Sequence, residues 1–88
     1  MSNDKPYEPV FYWELTWADK PRDYTARPPQ RKESTLLMYW DLGPNGGERW
    51  HWIVNDTKLI AQGYAETHLE AARKAEAAFF QFLEQLEN

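Results

Sequence analysis

His51 and His68 are the side chains of this 88-residue chain that ordinarily change charge near neutral pH, and there is no cysteine. Thiolate catalysis, disulfides and cysteine-ligated zinc are therefore excluded from the start. His51 is the better placed histidine. It sits between Arg49 and Ile53 in a stretch with strand character, and Tyr39 and Gln62 are its expected neighbours. A histidine base needs a carboxylate to orient it and a nucleophile or water to act on. Asp41 is the nearest acid, but it is expected opposite Arg49, where a cross-strand ion pair accounts for it. His68 follows a helix cap and is expected in solvent. The two lack the His-x-x-x-His spacing that sets two ligands on one helical face, so no metal or cofactor site is read. These residues point away from an enzyme and towards a binding surface, with no small-molecule substrate in view.

The elements that must carry these side chains follow from periodicity. Residues 49–54 and 59–64 alternate apolar and polar side chains around Asn55-Asp56-Thr57-Lys58, the pattern of a β-hairpin. With Asp56-Thr57 as the loop, Val54 faces Leu59, Trp52 faces Ala61 and Trp50 faces Gly63. Residues 35–42 alternate as well, and a turn over residues 43–47 sets Trp40 opposite Trp50, Met38 opposite Trp52 and Leu36 opposite Val54. Residues 10–17 give a first strand, with Phe11, Trp13, Leu15 and Trp17 on one side. A slip of one residue would scatter the large apolar side chains over both faces, so their agreement fixes the sides.

Residues 68–86 read as an amphipathic helix. Ala72, Ala75, Phe79, Phe82, Leu83 and Leu86 form one stripe at about 100° per residue, and Phe80 lies at its border. Thr67, with Glu70 three residues later, matches a capping box. The expected fold is α+β: a four-stranded antiparallel β-meander with one C-terminal α-helix packed on one face. Residues 1–9 are expected to be a flexible tail and residues 10–88 a single domain. Within it, residues 18–34 carry Pro21, Pro28 and Pro29 and read as a long irregular loop.

Fourteen acidic against ten basic residues leave a formal charge of −4, which argues against a dedicated polyanion binder. No apolar run approaches the roughly 20 residues of a membrane span. The first ten residues carry Asp4, Lys5 and Glu8 and lack the apolar core of a signal peptide. A cytoplasmic location is expected, and a short, aromatic-rich chain suits a bacterial or phage accessory protein.

A helix on one side leaves the other sheet face to be explained. Its expected rows are Leu37, Ile53 and Ile60; Tyr39, His51 and Gln62; and Asp41, Arg49 and Tyr64. So apolar a face is either covered by the tail and the loop or is a contact surface. The expected function is a non-enzymatic protein-interaction domain, binding a protein partner or a second copy. Its anchors would be Tyr12, Tyr39, Asp41, Arg49, His51, Ile53, Ile60 and Tyr64, since aromatic and arginine side chains dominate interface energetics. The alternative is a weak single-stranded nucleic-acid binder. It would stack bases on the same rings and use Lys20, Arg22, Tyr24, Arg27, Arg31 and Lys32 for phosphate contacts.

The stretch Gly63-Tyr64-Ala65-Glu66-Thr67, followed by Ala71, Ala75 and Ala78, resembles the last strand and helix of double-stranded-RNA-binding domains. In that family lysines just after the cap grip phosphates. The matching positions here hold His68, Leu69 and Ala72, and no helix precedes the first strand, so the resemblance brings no function with it.

Overall fold

The structure, a computed structural model, describes residues 7–42 and 46–87. Its elements are β1 (Trp13–Leu15), β2 (Asp23–Ala26), β3 (Ser34–Leu42), β4 (Glu48–Asp56), β5 (Leu59–Ala65) and α1 (His68–Leu86). The strands form one antiparallel meander in the order β1-β2-β3-β4-β5, and α1 lies against β3, β4 and β5. The α+β meander with a C-terminal helix is as expected, but the sheet has five strands rather than four.

The additional strand, β2, lies inside the segment expected to be irregular throughout. It is only four residues long, between Pro21 and the Pro28-Pro29 pair, too short for a period of two to show. What makes it a strand is its position between two partners. Thr25 pairs with Glu14 and Leu37, and Ala26 with Trp13 and Leu36. Thr25 and Thr16 also share a hydroxyl–hydroxyl hydrogen bond of 2.5 Å. β1 is correspondingly shorter than residues 10–17.

The β3–β4 register places Trp40 opposite Trp50, Met38 opposite Trp52 and Leu36 opposite Val54, as the alternation requires. Residues 43–45 of the expected turn lie outside the described residues. The β4–β5 register differs from expectation by two. Asn55 pairs with Leu59, so the loop is one residue longer than a two-residue turn, and Thr57 takes a left-handed φ of 57° within it. A register shift between Val54 and Asn55 then adds a second residue. Val54 therefore meets Ala61, Trp52 meets Gly63 and Trp50 meets Ala65. Because this displacement is even, Ala61, Gln62, Gly63 and Tyr64 keep their expected faces.

Between sheet and helix lies the core. Leu36, Met38, Trp50 and Val54 from β3 and β4 meet Ala71, Ala72, Ala75 and Phe79 from α1. The alanines let the first half of α1 approach closely, and Phe79 fills the wider space beyond; burying such a ring contributes about 2–3 kcal/mol. Phe80 closes the border by stacking on Phe11, with centroids 5.4 Å apart. Leu86, expected on the stripe, is half exposed beyond the sheet. At the helix start the Thr67 hydroxyl accepts from the Glu70 amide at 3.1 Å, while the Glu70 carboxylate turns to Arg73 and Lys74.

Two buried carboxylates pin the ends of this arrangement. Glu76 faces the core from α1 and gathers four donors, all neutral. Its Oε1 accepts from the Tyr7 hydroxyl and the Val10 amide, and its Oε2 from the Phe11 amide and the Trp13 indole. Asp56 accepts two bonds from Arg31, at 2.6 and 3.0 Å, and one from the Ser34 hydroxyl. The Arg31 guanidinium also lies over the Phe82 ring. Of the expected tail, residues 1–6 lie outside the described residues, and Tyr7 is fastened to Glu76.

Candidate open-face site

On an antiparallel strand, alternate residues project to one side, so the sheet face away from α1 is set by register alone. Across β3, β4 and β5 it carries the rows Leu37–Ile53–Gln62 and Tyr39–His51–Tyr64, with Asp41 paired to Arg49 beyond them. β2 adds Thr25 beside Leu37 and Asp23 beside Tyr39. No helix among the described residues crosses this face. Leu37, Ile53, Tyr39 and Tyr64 stay half-buried, and Gln62 and Asp41 are exposed. Residues 18–34 do not fold back over it: they supply β2 and its turns.

His51 is the fixed centre of the face. Its ring stacks on Tyr64, with centroids 4.7 Å apart and planes 16° from parallel, and meets Tyr39 edge-on at 5.1 Å. Nδ1 lies 2.9 Å from the Tyr39 hydroxyl and Nε2 lies 3.0 Å from Gln62 Oε1. The amide oxygen can only accept, so Nε2 carries the hydrogen and Nδ1 accepts from the tyrosine. Both nitrogens are thus engaged, and no lone pair is left pointing at a substrate. Burial, and then the charges of Asp41 and its neighbours, push the Tyr39 hydroxyl above its ordinary pKa. It is held as a neutral donor.

The register shift redistributes the expected rows. Tyr64, not Gln62, lies level with His51, and Gln62 reaches it diagonally. Arg49 forms its ion pair with Glu66 at 3.4 Å, and Asp41 Oδ1 accepts from the Leu42 amide. Ile60 sits where the ladder is irregular and packs against the helix-side cluster beside Ala78 and Phe82, so it leaves the open face. Tyr12 is largely exposed in a cleft with Arg27 and Pro29 at the β1 margin, the opposite end of the sheet from Tyr64. Of the eight expected anchors, Tyr39, His51, Ile53 and Tyr64 come together with Asp41 and Arg49 at the rim. Ile60 and Tyr12 do not join them.

The basic residues proposed for phosphate contacts do not gather beneath the rings. Arg22 lies over Trp40, 5.4 Å from its centroid, on the helix side of the sheet. Arg31 is held by Asp56 and Phe82, also on that side, and Tyr24 pairs with Met38 there. Lys20, Arg27 and Lys32 are exposed on turns between strands. Sequence reasoning missed Asp23 and Thr25 on the open face, because β2 was not legible. The run Tyr24-Thr25-Ala26 was the available signal.

Among the described residues, no three or more histidine, aspartate or glutamate side chains converge to hold a metal, and no helix is long and apolar enough to cross a membrane. Comparison with known proteins gives no further guide: no family model, curated protein or solved structure matches the chain.

Proposed function

We propose that this chain is a small non-enzymatic interaction domain that docks a protein partner on its open sheet face. One observation carries the reading: Leu37, Ile53, Tyr39 and Tyr64 form a half-buried apolar and aromatic strip around a His51 already locked in place. A strip rimmed by Asp23, Asp41, Arg49 and Gln62 has the make-up of an interface, with rings at the centre and charges at the edge. Because the rings are pre-positioned, binding need not order them at that moment. Asp23 and Asp41 flank Tyr39, so that end of the face favours a basic partner rim and repels phosphate.

A photo-crosslinking residue at position 53 should capture one partner that the same residue at position 73, on the exposed side of α1, does not. Leu37→Lys should abolish capture while leaving the far-ultraviolet spectrum unchanged. Equal capture from both positions, or capture indifferent to Leu37→Lys, overturns the reading. Binding of a single-stranded oligonucleotide that falls steeply between 50 and 200 mM salt would put the nucleic-acid reading in its place.

A further inference from the structure

The free edge of β5 is a separate surface, and its backbone polarity follows from one hydrogen bond. The Trp40 amide donates to the Arg22 carbonyl at 3.0 Å. Bonded and non-bonded pairs alternate along an antiparallel ladder, so Leu36, Met38 and Trp40 turn their backbone groups to β2, and Leu37 and Tyr39 turn theirs to β4. Carried through the registers, Trp50, Trp52 and Val54 bond to Ala65, Gly63 and Ala61. Gln62 and Tyr64 must therefore turn their N–H and C=O groups outward. The Tyr64 carbonyl agrees, since it accepts from Lys74 Nζ at 3.3 Å instead of from β4. A second edge exists at β1, but that strand has three residues against the seven of β5.

We propose that β5 pairs with β5 of a second copy, antiparallel about a twofold axis at Gln62, joining two sheets into one of ten strands. The axis can pass an outward-facing or an inward-facing residue, because bonded and non-bonded pairs alternate along the ladder. Only Gln62 centres the axis on the whole of Leu59–Ala65. It sets Ala61 opposite Gly63, Ile60 opposite Tyr64 and Leu59 opposite Ala65. Just beyond the strand it brings Lys58 opposite Glu66, now 3.4 Å from Arg49, so the seam ends on an opposite-charge pair at both ends. An axis at residue 61 or 63 pairs five of the seven strand residues, one at 60 or 64 pairs three, and none of these sets Lys58 opposite Glu66. From α1, Lys74 reaches the edge at the Tyr64 carbonyl, and Ala78, Gln81, Phe82 and Gln85 lie beside Ile60 and Ala61. On pairing, the amide of residue 60 in the second copy replaces Lys74 at the Tyr64 carbonyl. The twofold stands perpendicular to the sheet, so the two open faces become one. The proposal uses a different surface from the open-face reading and does not depend on it.

Sedimentation velocity of the full chain across a concentration series tests it, with amide exchange at Gln62 as a second readout. A dimer is expected, with the Gln62 amide more protected as concentration rises. Lys58→Glu alone and Glu66→Lys alone should each raise the dissociation constant about tenfold, because each creates two like-charge pairs per dimer. An equimolar mixture of the two variants should restore association, since the mixed dimer has opposite charges at both ends. A monomer at every concentration, single variants that associate like the wild type, or a mixture no tighter than either variant overturns the proposal. Photo-capture through position 53 reads the open face separately, so the two ideas can fail independently.

Discussion

Glu76 on α1 accepts the indole N–H of Trp13 on β1 at 2.9 Å, joining the last element of the chain to the first strand across the top of the core. The same carboxylate takes the amides of Val10 and Phe11. This bond set ties the residues preceding β1 to the middle of the helix. It also delivers Phe11 to its place between Phe79 and Phe80.

Glu76→Ala should therefore cost more than a lost surface contact. It strands the Phe11 amide and the Trp13 indole without an acceptor, and a buried donor left unmade costs about 1–3 kcal/mol. A loss of about 3–5 kcal/mol in urea unfolding is expected, with faster exchange of the Val10 and Phe11 amides. A loss below about 1 kcal/mol would mean that the segment stays docked without its acceptor.

The same contact sets an alkaline limit. Burial, and then the hydrogen bond to the Glu76 carboxylate, push the Tyr7 hydroxyl up from 10.0 to about 12. Between these values the folded chain holds a proton that the unfolded chain has released, so stability should fall as pH rises through this window and level off above it. Absorbance of tyrosinate during a pH titration should show a late-ionising ring, beyond Tyr39, that is missing from Tyr7→Phe.

At the opposite end of the core the sign reverses. The Arg31 hydrogen bonds, helped by Ser34, hold the Asp56 carboxyl below its ordinary 3.8. Its contribution is complete above that value and is lost as pH falls through the lowered one. Asp56→Asn should flatten the acid limb of a thermal-midpoint-against-pH curve and leave the neutral-to-alkaline side with its original slope.

Gly63 tests the packing of the sheet against its largest side chain. A Cβ added there would come within 2.7 Å of the Trp52 ring. Gly63→Ala should cost about 1–3 kcal/mol as the indole is forced off its site. Combining it with Trp52→Leu, which removes the obstructing ring, should cost less than the sum of the two single changes.

Much of this was legible because large side chains alternate. A one-residue slip between β3 and β4 would split Trp40, Met38 and Leu36 from Trp50 and Trp52, and the expected register is present. What escaped were features without periodicity. β2 is four residues whose strand character comes from its neighbours. The β4–β5 offset arises from a left-handed Thr57 and an irregularity near Ile60, and neither residue type signals such a conformation. Glu76 lies four residues after Ala72 and three before Phe79, so the helical period brings it to the edge of the apolar arc of α1. Its partners, more than sixty positions away, could not be read from spacing.

His51 separates the two contributions that hold the open face together. His51→Phe keeps a ring to stack on Tyr64 but removes the acceptor for the Tyr39 hydroxyl and the donor for Gln62. Tyr39 is half-buried and Gln62 exposed, so both can turn to water, and the expected loss is about 1 kcal/mol, the net worth of an ordinary hydrogen bond. His51→Ala also removes the ring and should lose about 2–3 kcal/mol, because an aromatic pair adds about 0.5–1.5 kcal/mol beyond the area it buries. Nitrogen chemical shifts of the imidazole should place the hydrogen on Nε2, as the Gln62 oxygen requires. A hydrogen on Nδ1 would reverse both bonds and leave Tyr39 accepting, and the face would then present a free phenolic hydrogen to a partner.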